Sequence, residues 1–272
     1  MSLTRSQFER AAALERYQRK LAQLAQMSSG TLHSLLGGNP DEAADWVRSA
    51  AECGLAAAQV RLGRMLLDGT GLPRDEVAAF HWFSRAAAQQ DCDALNMVGR
   101  CHENGWGVPV VFGQAAASYR AAADGGHDWG QYNLGNLLFD GRGVPMDRQQ
   151  ALRWYLLAAA QGHGRAMNLV GRCLEEGWGC RRSPEESLYW YGRSAASGYF
   201  RGQFNHAALL AERGSLDAAA QEFLAAAAGG NADIRRTIAA ILASATHPGL
   251  RQARARALEL LAADAELTSA AG

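Results

Sequence analysis

Three observations in the sequence predict an all-α chain, an α/α solenoid of stacked helix pairs. Gly63, Gly99, Gly135 and Gly171 stand 36 residues apart, each directly after Leu or Val. The pairs Gly69/Gly71, Gly105/Gly107, Gly141/Gly143 and Gly177/Gly179 keep the same step, as do Trp46, Trp82, Trp154 and Trp190, with Ser118 in the vacant slot. Ala51, Ala87, Ala123, Ala159 and Ala195 fill a further column, which Ala227 continues after a four-residue deletion. The near-identical strings GRCHENGWGVP (99–109) and GRCLEEGWGCR (171–181) are therefore the same portion of repeats two and four. A fixed period of this length marks units that bury their apolar faces only by stacking on their neighbours.

The elements follow in order. Residues 3–27 carry Leu14, Tyr17, Leu21 and Leu24 at three-four spacing, which predicts a helix. It leads into a linker around Gly37-Gly38-Asn39-Pro40, so that residues 1–40 form an amino-terminal helical cap or an exposed partner-binding segment. Residues 41–230 form the repeat array: one B helix, then five A/B pairs. Helix A, for example 129–140 with its stripe Leu134, Leu137 and Leu138, runs into Gly-x-Gly, whose first glycine suits the left-handed residue that ends a helix.

Helix B starts from the column Asn39, Asp75, Val111, Asp147, Ser183 and Ser215, five of which are good N-caps. It ends at the column Gly54, Gly126, Gly162, Gly198 and Gly230. The mid-helix glycines 63, 99, 135 and 171 each cost about 0.5–1 kcal/mol against alanine, which implies a shared demand. The expectation is close approach of helix B's backbone, with the Ala columns as the matching surface. The fifth unit lacks Gly-x-Gly and turns through Glu212-Arg213-Gly214-Ser215. Residues 231–272 supply two helices broken at His247-Pro248-Gly249, a carboxy-terminal cap.

At these residues the pattern A-x-x-x-LG-x-x-[LM]-x-x-G-x-GV-x-x-D-x-x-x-A-x-x-W-[YF]-x-x-AA-x-x-G resembles the Sel-one-like repeat (SLR) family, related to tetratricopeptide repeats. The third unit, Gln131–Gly162, shows it best. The resemblance implies a right-handed superhelix that binds other proteins as an adaptor, and it brings no catalytic residue.

The composition narrows the function classes. Of 272 residues, 48% are hydrophobic and the formal net charge is zero, which argues against a duplex nucleic-acid binder. No apolar run reaches membrane-spanning length, and the amino terminus lacks the apolar stretch of a secretory signal, so a cytoplasmic protein without membrane insertion is expected. Lys20 is the only lysine among 27 basic residues, a bias that a GC-rich coding sequence produces. The five cysteines form no CxxC pair, which suits a reducing compartment.

Column position decides the candidate chemistry. Cys101 and Cys173 share a column with Met65, Leu137 and Leu209, and Cys180 one with Leu72, Val108 and Val144. All three read as small buried apolar residues. Cys53 and Cys92 fall near turns and are expected to be exposed. His127 and His163 recur one repeat apart at a turn, without a carboxylate column to join them in a metal site. No nucleophile or phosphate-loop motif is present, so neither a catalytic residue, a metal nor a cofactor is expected.

The helix-A face remains. With helix A lining the concave side, one column reads Arg64, Arg100, Asn136 and Arg172. Neighbouring columns bring Asn96, Tyr132, Asn168 and Phe139, and, at the near end, Trp129, Arg165 and Arg201. Asparagines clamp peptide amides, arginines pair with carboxylates, and aromatics anchor. Trp106 and Trp178 in the Gly-Trp-Gly loops are separate loop candidates. The competing expectation pairs Arg64 with Asp68, Arg100 with Glu103, and Arg172 with Glu175 or Glu176 within one helix, at a few tenths of a kcal/mol each. The function expected is a non-enzymatic adaptor that binds a peptide or partner protein in the groove. The alternative is a binder or hydrolase of cell-wall fragments or β-lactams, with aromatics stacking on sugar rings.

Overall fold

The computed structural model describes residues 40–270, together with 14, 15, 17–19 and 22, which are helical. The rest of the helix expected over 3–27, and the linker at 37–39, lie outside the described residues. Among the described residues there is no strand.

The helices are α1 (Pro40–Glu52), α2 (Ala56–Asp68), α3 (Glu76–Ala87), α4 (Cys92–Asn104), α5 (Phe112–Asp124), α6 (Asp128–Asp140) and α7 (Arg148–Ala160), followed by α8 (Gly164–Glu176), α9 (Pro184–Ala196), α10 (Phe200–Glu212), α11 (Leu216–Gly229), α12 (Ala232–Ile241) and α13 (Pro248–Ala270). This is the α/α solenoid order: one B helix, five A/B pairs, then a helical hairpin. The chain divides into two compact units, Met1–Leu137 with Gly141–Pro145, and Leu138–Asp140 with Met146–Gly272.

The first glycine of each Gly-x-Gly ends helix A in the left-handed conformation, with φ of +73°, +77°, +71° and +76° at Gly69, Gly105, Gly141 and Gly177. The second is excluded from carrying a side chain by its neighbour. A Cβ on Gly107 would lie 2.2 Å from the Glu76 carbonyl oxygen, and one on Gly179 2.4 Å from that of Arg148. Each loop thus lies against the first turn of the preceding repeat's helix B.

Helix B starts with less uniform capping than expected. Asp75 and Asp147 accept from the amides of Ala78 and Gln150 at 2.9 and 2.8 Å. Ser183 and Ser215 make no side-chain cap, and the Ser183 hydroxyl donates instead to Glu186 at 2.9 Å. Asn39 lies outside the described residues.

The mid-helix glycines answer a different demand from the one expected. A Cβ on Gly63, Gly99 or Gly171 would meet a ring carbon of Phe83, Tyr119 or Tyr191 at 2.5, 2.5 and 2.7 Å. These rings are fully buried, and Tyr155 continues their column. The glycine makes room for an aromatic of helix B rather than for its backbone. Close helix approach falls instead at Gly130 and Gly202, whose added Cβ atoms would meet Ala122 Cβ at 2.7 Å and Ser194 Oγ at 2.1 Å.

In the first unit Phe83, Ala79, Ala86, Ala94, Met97 and Cys101 share one core with Val60. In the second unit α12 and α13 close over α11: Ile238, Leu242, Leu250, Ala253 and Ala257 join Phe223 and the alanines of α11 in a single core. Arg235 pairs with Asp264 across that hairpin. Among the described residues no helix is long and apolar enough to cross a membrane.

Candidate functional site

In the first unit the loop Gly105-Trp106-Gly107, held down on α3, packs Trp106 against the same core as Leu66 and Leu67 at the end of α2. The Arg100 guanidinium lies 4.9 Å from the centre of the Trp106 ring. An open cleft there is lined by Arg64, Leu67, Asp68, Arg74, Met97, Arg100 and Trp106.

Its arginines are in different states. Arg64 Nη2 donates to both oxygens of Asp93 on α4, at 2.6 and 2.7 Å, and does not pair within its own helix. Arg74 pairs with Glu76. Arg100 donates to the Met97 sulfur at 3.6 Å and lies on the Trp106 face, with no ion pair among the described residues. Glu103, its expected helical partner, instead accepts from Tyr119 at 2.6 Å and from Arg142 at 3.1 Å.

The second unit repeats this arrangement with more aromatic surface. Trp178 packs edge-to-face on Phe139 with ring centres 5.2 Å apart. Arg172 lies 5.2 Å from the Trp178 centre, while Arg148 lies 5.9 Å from it and 5.0 Å from that of Phe139. Glu175 accepts from Tyr191 at 2.6 Å, so the expected pairing of Arg172 with it does not form. Stacking of this kind contributes about 0.5–1 kcal/mol at an exposed site and leaves the guanidinium edge available for a further acceptor.

The expected asparagine clamps are withdrawn from solvent. Asn96 and Asn168 are each 5% exposed. Their Oδ1 atoms accept from Asn133 and Asn205 of the next helix A at 2.9 and 2.8 Å. Through these bonds they join consecutive repeats within a unit. The column that holds them also holds Val60, equally buried, so this face of helix A meets its neighbour.

The remaining candidates lie nearer the surface. Trp129, 41% exposed, packs edge-to-face on Tyr132 at 5.9 Å. Asn136 and Phe139 are half-buried. Arg165 lies over Tyr199 at 5.8 Å and Arg201 over Phe200 at 6.0 Å. Sequence reasoning missed Asn133, Asn205 and Arg148. The first two recur 72 residues apart, as the loop tryptophans do, and that doubled period was the available signal.

Titratable groups are arranged for structure. The Asp93 carboxylate is held below its ordinary range by the hydrogen bond from His127 and by Arg64, against the opposing effect of burial. His127 and His163 are N-caps: their Nδ1 atoms accept from the amides of Gly130 and Ala166 at 3.1 Å each. Burial pushes the Cys101 and Cys173 thiols up to about 12, so neither is a thiolate nucleophile near neutral pH. Cys180 is half-buried rather than buried, as are Cys53 and Cys92. Among the described residues no three His, Cys, Asp or Glu side chains converge to hold a metal ion.

Known structures share this architecture. A Sel1 repeat protein from Oxalobacter formigenes superposes with a TM-score of 0.76 at 24% identity, over 85% of this chain and 97% of that one. A protective antigen of uropathogenic Escherichia coli displaying an SLR fold gives 0.67 at 28% identity over 83% of this chain, which spans about half (50%) of the antigen's length. An immunity protein from Pseudomonas aeruginosa gives 0.53 at 19% identity, covering 77% of this chain and 82% of that one. No curated protein matches the chain. The family model of the Sel1 repeat matches residues 18–55, 56–91, 92–127, 130–163 and 164–199, stopping short of the loop-less pair α10–α11. With most of its length accounted for in this way, the chain belongs to the Sel1 repeat family, whose members generally serve as non-enzymatic scaffolds for protein–protein interaction.

Proposed function

We propose that the protein is a non-enzymatic adaptor that engages a peptide or partner protein at the arginine-bearing helix-A faces and Gly-Trp-Gly loops of its two units. The observation that carries this reading is the state of Arg100 and Arg172. Each is held on a loop tryptophan and has no carboxylate within ion-pair distance among the described residues. A guanidinium fixed in this way keeps its fork of N–H donors for an external carboxylate or carbonyl.

Binding of cell-wall fragments by ring stacking has less support, because guanidiniums already lie over the Trp106 and Trp178 rings. The buried Cys101 and Cys173 thiols are in the wrong protonation state for hydrolysis by attack.

The test is affinity capture on the intact chain with mass-spectrometric identification, repeated with Arg100→Ala/Arg172→Ala. A partner recovered by the parent chain and lost from the double variant is the expected result. A partner held equally by both moves the interface off the two stations. Saturable turnover of a β-lactam or muropeptide would replace the adaptor reading altogether.

A further inference from the structure

We infer that the face formed by Arg148, Arg172, Phe139 and Trp178 in the second unit binds an acidic segment of a partner protein, one with two carboxylates close together in sequence. The inference rests on the adaptor reading and names the chemistry that this face would take.

Several arginines of the chain are neutralised internally. Arg142 meets Glu103, Arg213 meets Glu185 and Arg235 meets Asp264. Arg148 and Arg172 have no such partner among the described residues, and the nearby acids are otherwise placed. Asp147 caps α7, Glu175 takes the Tyr191 hydroxyl, and Glu186 takes Ser183. Glu176 is exposed and pairs with neither arginine. The aromatic pair holds two positive charges at a surface, neither in an ion pair among the described residues.

Geometry limits the spacing of the ligand's acids. The two guanidinium carbons lie 5.2 and 5.9 Å from one ring centre, so they are separated by no more than the sum, about 11 Å. In an extended peptide alternate side chains share a face and recur about every 7 Å. Two glutamates or aspartates separated by one residue fall within that limit.

Other anionic partners fit less well. Guanidiniums already lie over the Trp178 ring, where a nucleobase would have to stack. The formal net charge of zero supplies no extended positive field for a polyphosphate backbone.

The inference is tested with fluorescein-labelled octaglutamate, followed by anisotropy at low ionic strength on the intact chain. Saturable binding is expected, weakened by about tenfold or more in Arg148→Ala/Arg172→Ala and less in Arg148→Lys/Arg172→Lys. The variants should remain folded and lose at most several degrees of thermal midpoint, since the side chains are exposed and each stack contributes only about 0.5–1 kcal/mol. Octaglutamate bound no better than octaserine, or bound equally by the alanine variant, overturns the inference. So does a phosphoserine octapeptide bound tenfold more tightly, which would make the site one for phosphate. If octaglutamate fails while the captured partner still depends on Arg100 and Arg172, the adaptor reading stands and only its acidic ligand falls.

Discussion

Gln90 occupies the turn position that Gly54, Gly126, Gly162 and Gly198 fill in the other repeats. It adopts φ of +61° where those glycines have +98°, +86°, +92° and +81°. No neighbour lies within 4 Å of a Cβ placed on Gly126, Gly162 or Gly198, so backbone conformation alone explains the preference there. A left-handed residue with a Cβ costs about 1–2 kcal/mol, and glycine returns part of this through the entropy of the unfolded chain. Gln90→Gly should therefore stabilise the protein by about 0.5–1 kcal/mol, read as a higher urea midpoint at unchanged slope. A lower midpoint would mean that the Gln90 side chain contributes more than its strain costs.

At the scale of the helix, the fit between helices A and B rests on a glycine facing a ring. Gly99→Ala gains up to about 1 kcal/mol of helix propensity but places a Cβ 2.5 Å from the Tyr119 ring. Relieving that overlap moves a fully buried ring and its 2.6 Å bond to Glu103, at about 1–3 kcal/mol or more. The steric cost wins, so Gly99→Ala, and Gly171→Ala by the same geometry, should lower the unfolding free energy by about 1–2 kcal/mol in chemical denaturation. The loops follow a similar logic. Their second glycine lies on the preceding helix B, and that contact places Trp106 and Trp178 beneath Arg100 and Arg172.

At the scale of the whole molecule, the two compact units each contain one deeply buried thiol, Cys101 in the first and Cys173 in the second. With values near 12, only about one molecule in ten thousand carries either thiolate at pH 8, and burial excludes reagent as well. Iodoacetamide at pH 8 should leave both cysteines unmodified in the folded chain while Cys53 and Cys92 react. Labelling of Cys101 and Cys173 as urea rises, followed by mass spectrometry, then reports the opening of each unit separately. Rapid labelling of either in buffer would contradict the buried positions.

Repeat register, helix order, the Gly-x-Gly stops and the hairpin after residue 230 were legible in the sequence, because each follows from local backbone demands recurring every 36 residues. The column argument also placed Cys101 and Cys173 in the core. What an individual polar side chain meets was not legible, since a 3.6-residue period tells which face a residue occupies but not what stands opposite. Asn96 and Asn168 fall in a groove column by spacing, yet Asn133 and Asn205 of the next repeat stand across from them. Arg64 took Asp93 from another helix in place of Asp68, and the mid-helix glycines faced rings instead of backbone. Pairings between repeats depend on how far one helix sits from the next, and only the packed structure fixes that distance.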